Sequence, residues 1–405
     1  MLIIKIAWRN VWRSKARSLV VMGSIVVGIW ALIFGTGFMN GFMVGYSNEV
    51  INYDVSNIQV HHPDFKTDYD IEFTIKDGLK KAEAMKQWEG VVGVTTRSIV
   101  NGMIASPKKA SGVQIRGVEV ESEASVTHLD SLISDGEYFE GIRRNPIVIG
   151  NKLAEKLKVK VRSKIVLTFN DTNGEITSAA FRIAGIVSSS SLNVSEGYVF
   201  VRKSDLNKLL GIGDDIHEIA LLLTPHFDDF SIVEKYEETY SGDLVETWRE
   251  VAPELSFMQE MYGQMLYVLM GIILTALIFG IVNTMLMAVL ERFKELGMLM
   301  AVGMTKIRVF TMILMETLFL GIVASPVGLF LGWWTINYYI KKGVDLTEYS
   351  EGLEAFGYSS ILYPYIDPSN YLTITIGVVI TAFIAALYPA WKAVKLKPVE
   401  ALHKI

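Results

Sequence analysis

Residues Ser18 to Asn48 carry no charged side chain over 31 positions. Few soluble folds accommodate such a run. As a helix rising about 1.5 Å per residue it reaches roughly 46 Å, against about 30 Å of bilayer hydrocarbon. It is therefore long enough to span a membrane and project beyond it. A secretory signal core is the competing reading, because basic residues precede the run. Such a core is only about 7–15 residues long, so that reading is rejected. Gly37, Gly41 and Gly45 fall four apart on the outer half. Small residues at this spacing let helices approach closely in lipid.

Three further apolar runs, 261–290, 309–340 and 368–391, each suffice for one membrane helix. The first carries a second small-residue ladder, Ala276, Gly280, Thr284 and Ala288. The middle one holds one acid, Glu316, and one proline, Pro326. A carboxylate in a span should face protein or a cavity. With Arg308 two turns away, Glu316 reads as a structural partner near the inner surface. The chain is 51% hydrophobic yet 20% charged over 405 residues. This is too apolar for a soluble protein and too charged for one lying wholly in lipid.

Charge sets the expected topology. Segment 1–17 carries Lys5, Arg9, Arg13, Lys15 and Arg17 without an acid. Its apolar residues Ile3, Ile4, Ala7, Trp8, Val11 and Trp12 recur at helical spacing, so it reads as a basic amphipathic helix on a membrane surface. Segment 291–308 has four basic and two acidic residues, 341–367 two basic and five acidic, and the tail 392–405 four lysines against Glu400. The positive-inside rule places both termini and 291–308 in the cytoplasm, and 46–260 and 341–367 outside.

Segment 46–260 reads as a folded α+β domain, in two subdomains, with the chain leaving and returning near the membrane. Strands are expected at 57–61, 91–104, 113–118, 164–169, 179–187, 198–201 and 216–223. Helices are expected at 77–88, 151–157, 203–210 and 227–240. Asp171-Thr-Asn-Gly174 signals a turn. The polar Ser188–Ser191 loop lacks the Gly-x-Ser-x-Gly elbow that a serine nucleophile needs. His61 and His62 adjoin on a strand, which points them to opposite faces and disfavours a shared metal. The chain has no cysteine, so thiol chemistry is excluded, and the net charge of -5 with no basic stripe argues against nucleic acid. No Gly-x-x-x-x-Gly-Lys loop occurs, so ATP hydrolysis through that motif is not expected. No catalytic residue and no metal site is assigned.

Between the second and third spans lies the stretch Glu291-Arg-Phe-Lys-Glu-Leu-Gly-Met-Leu-Met-Ala-Val-Gly303. Phe293, Leu296, Gly297, Met300 and Met304 make one apolar helical face, with Glu291, Arg292 and Glu295 on the others. Periodicity alone permits either a plain polar connection or a helix lying on a membrane or in a partner's groove.

That stretch, the N-terminal Ala7-Trp-Arg-Asn-Val-Trp-Arg-Ser-Lys-Ala-Arg17 and the C-terminal Tyr388-Pro-Ala-Trp-Lys-Ala-Val-Lys-Leu-Lys-Pro-Val-Glu-Ala-Leu402 resemble, in order, a permease of the MacB/FtsX (type VII) superfamily of ABC transporters. Phe38-Met-Asn-Gly-Phe42, the 57–63 strand and the 27-residue loop containing Tyr363-Pro-Tyr-Ile-Asp-Pro368 are most similar to the lipoprotein-releasing LolC/LolE branch. The resemblance implies four membrane helices and an α+β periplasmic domain of paired Porter and Sabre subdomains, in a multi-pass inner-membrane protein. It implies a coupling helix at Glu291, Arg292, Phe293, Glu295, Leu296, Gly297, Met300 and Gly303 that docks on a separate ATPase subunit, which carries ATP and Mg. Met300 departs from the Arg or Lys usual in members. Two permeases and two ATPases make the working unit, which moves its outer domains by mechanotransmission.

The outer helix ends are rich in greasy side chains: Met39, Phe42, Met43 and Tyr46 on one, Phe257, Met258, Met261, Tyr262 and Met265 on the other. Methionine-rich surfaces adapt to varied apolar partners. These residues are candidates for holding lipoprotein acyl chains, or else they pack together or form an aromatic belt. Three functions remain open: lipoprotein release to a periplasmic carrier, MacB-like export of a peptide or drug with an adaptor, and FtsX-like regulation of a cell-wall hydrolase.

Overall fold

The computed structural model describes residues 2–189, 191–225, 227–355, 358 and 360–395. Most of the C-terminal tail and Ser190 of the polar loop lie outside the described residues. The chain divides into two compact units. One comprises Met1–Val44, Gln259–Leu346 and Ile361–Ile405; the other comprises Gly45–Met258 and Thr347–Ser360.

The first unit is helical. Four helices are long and apolar enough to cross a membrane, and they follow the four predicted spans. All start or end outside the predicted limits: Lys15–Val50, Pro253–Glu291, Lys306–Lys342 and Pro368–Val394. Apolarity marks the part of a helix that suits lipid, whereas capping and backbone hydrogen bonding decide where it stops. The fourth helix shows this directly. Asp367 accepts a hydrogen bond from the Ser369 backbone N–H at 2.8 Å, and Pro368 follows it in the first turn. Pro326 sits inside a continuous helix.

The first and third spans pack through small residues at four-residue steps. A Cβ built on Gly328 would lie 2.9 Å from Ile29, and one on Gly332 would lie 2.6 Å from Ile33. A Cβ on Gly37 would lie 2.5 Å from Ile336, so the same seam continues with the roles exchanged. The predicted ladder on the first span therefore serves two purposes. Gly37 admits the third span, while Gly41 admits backbone: a Cβ there would lie 2.5 Å from the Tyr363 carbonyl oxygen. A Cβ on Gly45 would meet nothing within 4 Å among the described residues. On the second span, Gly280 likewise meets nothing within 4 Å among the described residues. At Gly280 the ladder therefore faces open space among the described residues.

This contrast yields a prediction. Gly41→Ala should destabilise the helical unit by about 1–3 kcal/mol, because the opposing carbonyl cannot rotate away. Gly45→Ala should be neutral or stabilising by up to about 1 kcal/mol, because alanine favours helix over glycine. Thermal unfolding of the two variants in the same detergent checks the pair; equal midpoints would remove the packing argument.

The second unit is built on one ten-stranded sheet. Its strands are β1 (Ile58–His61), β2 (Val91–Ala105), β3 (Ala110–Val118), β4 (Ile133–Gly136), β5 (Pro146–Gly150), β6 (Lys164–Asn170), β7 (Ile176–Val187), β8 (Tyr198–Arg202), β9 (Glu218–Leu223) and β10 (Leu244–Thr247). The order is β10-β1-β9-β2-β3-β8-β5-β7-β4, with β6 bridging β2 and β7. Two pairs, β3 with β8 and β5 with β7, are parallel. The 15-residue β2 is long enough to pair with β9 near its start and with β6 near its end. Among the described residues the sheet carries three apolar clusters, of which two are the larger. One gathers Val60, Leu221, Met85, Ile232 and Tyr236. The other gathers Ile149, Leu167, Phe181, Leu153 and Leu206.

The predicted strands and helices of this domain all occur, with ends moved by a few residues. β4, β5, β10 and the helix Val120–Thr127 are additional. β5 is only five residues long and wholly buried, so it shows no alternation to read.

His61 and Glu218 pair across β1 and β9, and Glu218 and Arg97 pair across β9 and β2. The register thus sets three polar residues in one row across adjacent strands. His61 Nε2 lies 3.0 Å from Glu218, and Arg97 donates to Glu218 at 2.5 Å and to Glu123 at 2.7 Å. Arg97 is completely buried. His61 is therefore bound into an ion-pair row, while His62 stacks on Phe73 at 4.9 Å. Ser191, at the end of the polar loop, donates to the buried carboxylate of Asp54 at 3.1 Å.

Candidate coupling segment and substrate-facing helix ends

The stretch after the second span forms a short helix, Phe293–Ala301, with Arg292 at its N-terminal edge. Its end has a physical cause. Gly303 adopts a left-handed φ of +103°. The Met304 N–H donates to the Leu299 carbonyl at 2.9 Å, and the Gly303 N–H donates to that of Met300 at 3.1 Å. This is the Schellman arrangement, in which glycine is favoured because it carries no Cβ. The chain then enters the third span at Lys306.

The apolar stripe predicted for this helix is present, but it faces inward. Leu296 and Gly297 are buried, and Leu299, Met300 and Met304 pack against the core shared by the spans. It therefore does not provide the outward contact surface. The exposed side instead consists of Met298 and Val302, four residues apart, with the Lys294 position one turn earlier. Met298 is 56% and Val302 84% exposed. The sequence carried this signal as the opposite face of the same helix, which the inward stripe outweighed.

Ion pairs hold the segment in place. Glu295 accepts from Arg13 of the N-terminal helix (Leu2–Arg13) and from Arg292 Nε at 3.2 Å. Arg292 Nη1 reaches both carboxylate oxygens of Glu316 on the third span at 3.1 Å. Partial burial opposes ionisation of Glu295, but the hydrogen bonds from Arg292 and Arg13 outweigh it and hold the carboxyl below its usual range. Glu316 thus has Arg292 as a partner, a residue 24 positions away, where nearness in sequence had pointed to Arg308. Glu291 ends the second span and is exposed, Phe293 is half-buried, and Gly303 is exposed.

The greasy helix ends differ among themselves. Met43 is buried, Gly41 beside it is packed, and Phe42 meets Phe38 edge-on at 5.2 Å. Met39, Met258 and Tyr262 are half-buried, and Tyr46 rests on Tyr358 at 5.4 Å. Phe257, Met261 and Met265 are more than half exposed. The second span continues that exposure through Tyr267, Val268, Ile272 and Phe279.

This architecture is membrane α-helical with an α+β aqueous domain. Residues 18–237 match the MacB-like periplasmic core domain, and residues 267–398 match the FtsX-like permease C-terminal region. The chain belongs to the MacB/FtsX family of ABC transporter permeases. Among its relatives is the lipoprotein-releasing system transmembrane protein LolE of Haemophilus influenzae, 21% identical over 93% of this chain and 92% of that protein. LolC of Neisseria meningitidis is 21% identical over 95% and 94% respectively. The uncharacterized ABC transporter permease YknZ of Bacillus subtilis is 24% identical over 99% and 98%. A permease of this class works with an ABC ATPase subunit.

Proposed function

We propose that this chain is the permease subunit of a transporter that releases lipoproteins from the inner membrane toward a periplasmic carrier. ATP and Mg are bound and turned over on the partner ATPase. One observation carries the coupling part of this reading: Arg292 and Glu295 lock the segment to both the N-terminal helix and the third span. A force applied at Lys294, Met298 and Val302 then moves helices rather than bending a loop. The lipoprotein part is supported by similarity along nearly the whole chain to LolE and LolC, whose names state that role.

In this reading both termini and the coupling segment are cytoplasmic, and the sheet domain is periplasmic. The exposed side of the second span receives a second permease, identical or related. Acyl chains lie against Phe42, Met261 and Met265, and the other apolar residues at these helix ends shape the surroundings. MacB-like export with an adaptor is the second reading, favoured by the match of residues 18–237 to the MacB-like periplasmic core domain.

Purification of tagged protein from membranes in mild detergent, with mass spectrometry of what it retains, tests the proposal. Acylated lipoproteins recovered with an ATPase, and lost on Phe42→Asp or Met261→Asp, are the expected result. An ATPase with a periplasmic adaptor and no lipoprotein would favour export. Absence of any ATPase would defeat the coupling assignment.

A further inference from the structure

The N-terminal helix has two faces with different commitments. Ala7 and Val11 are fully buried in the core of the helical unit, and Asn10 meets Met312 of the third span. This face fixes the helix against that span. The opposite side leaves Lys5, Trp8, Arg9 and Trp12 exposed. Trp8 and Trp12 contact each other edge-on at 5.9 Å, and Trp8 also meets Phe319 of the third span at 5.4 Å.

Because Phe319 lies within a membrane-spanning helix, the exposed aromatic surface beside it borders lipid. Tryptophan suits the level of the headgroups, with its ring partly in apolar surroundings. Lys5 and Arg9 stand one helical turn apart, with Cβ atoms about 6 Å from each other. The first acid in the chain is Glu49, far along the next helix, so no carboxylate on this segment offsets them. Arg13, the third cation in the row, is occupied by Glu295.

We propose that Lys5, Trp8, Arg9 and Trp12, with Phe319, form a binding site for an anionic phospholipid. Its phosphate lies between Lys5 and Arg9, and an acyl chain runs along Trp8 and Phe319. Two neighbouring exposed cations with no acid on their own helix complement a net-negative headgroup and gain little from a zwitterionic one. The site also reaches the coupling segment. A lipid that steadies the N-terminal helix steadies Arg13, and through it Glu295.

Full-length protein in nanodiscs of equal phosphatidylglycerol and phosphatidylcholine provides the test. Native mass spectrometry reads the ratio of the two lipids retained on the protein. Each cation near an anionic surface favours binding about fivefold, so the ratio of phosphatidylglycerol to phosphatidylcholine retained on the wild type should be at least about fivefold above the bulk ratio. K5Q/R9Q should bring the ratio to the bulk value, and K5R/R9K should preserve the enrichment. A bulk ratio in the wild type overturns the proposal, as does an enrichment that K5Q/R9Q leaves unchanged. Loss of enrichment in K5R/R9K overturns it too, since charge is then not what selects the lipid.

Discussion

Replacing Arg97 by methionine is expected to lower the unfolding midpoint of the sheet domain by about 10 °C. The guanidinium is completely buried and forms several bonds to two carboxylates, Glu123 and Glu218. Methionine fills similar volume but strands both acids inside the domain without their cation. Breaking a buried pair in this way costs about 3–5 kcal/mol, a large share of the roughly 5–15 kcal/mol that holds a domain folded. For a domain of this size each kcal/mol moves the midpoint by about 2–4 °C. The triple variant R97M/E123Q/E218Q should recover part of the loss, because neutral amides tolerate the site better than two bare carboxylates. Circular dichroism melts of the full chain in detergent check this, and a shift under about 3 °C would sink the account.

The same residues set an acid limit. Burial raises the Glu218 pKa, but Arg97 and the hydrogen bond from His61 outweigh burial and hold it well below the usual carboxylate range. A carboxyl whose folded pKa is depressed stabilises the fold above its unfolded pKa of about 4.3, and that stabilisation is lost as pH falls toward the folded value. The wild-type midpoint should therefore drop steeply below about pH 4. R97M should show a shallower drop, because without Arg97 burial pushes the carboxyl pKa upward and acid then neutralises the stranded charge.

Replacing Arg292 by methionine is expected to uncouple the helical unit. Arg292 joins Glu295 of the coupling segment to Glu316 of the third span. Both Arg292 and Glu316 are largely shielded from solvent, so the pair is screened less than a surface ion pair. The single change should cost about 2–4 kcal/mol of stability in detergent, seen as a lower thermal midpoint. Glu316→Met should cost a comparable amount. A double-mutant cycle with R292M/E316M should then show at least about 1 kcal/mol of coupling. In the complex with its ATPase, R292M should leave ATP turnover measurable while transport output falls at least about tenfold. Simple additivity in the cycle would mean that the pair transmits nothing.

Different parts of this molecule were legible to different degrees. The four spans could be read because lipid imposes one requirement on every residue of a crossing, and that requirement is local. The apolar face of the segment after the second span could be read from its 3.6-residue period, but the period alone left a plain polar connection equally open, and only the family resemblance pointed to a coupling helix. The orientation of that face could not be read. Leu296 and Gly297 make a stripe that suits either a groove on another protein or the chain's own spans, and only the packed structure places it inward. The outward face of Lys294, Met298 and Val302 follows from that placement.

Glu316 illustrates the same limit for charges. Its span and carboxylate were plain, and a basic partner near the inner surface was a sound expectation. Arg308 was nearer in sequence, but a helix fixes the direction of both side chains, and the hairpin through Phe293–Ala301 brings Arg292 instead. In the sheet domain, His61 and Glu218 lie 157 positions apart, with Arg97 and Glu123 between them. Strand register gathers them, and register depends on the whole sheet.

By itself the sequence determined that this chain has four segments suited to crossing a membrane, that a mixed α+β domain follows the first span, and that a charged segment with one apolar helical face links the second and third. Each is a statement about local periodicity or about the solvent that a segment can tolerate. Tertiary structure decided which face of the helix Phe293–Ala301 remains outside, which arginine answers Glu316, and that the two larger apolar clusters of the sheet domain both draw on the long strand β2. Those depend on distances between residues far apart in the chain, which only the packing of helices and the register of strands can set.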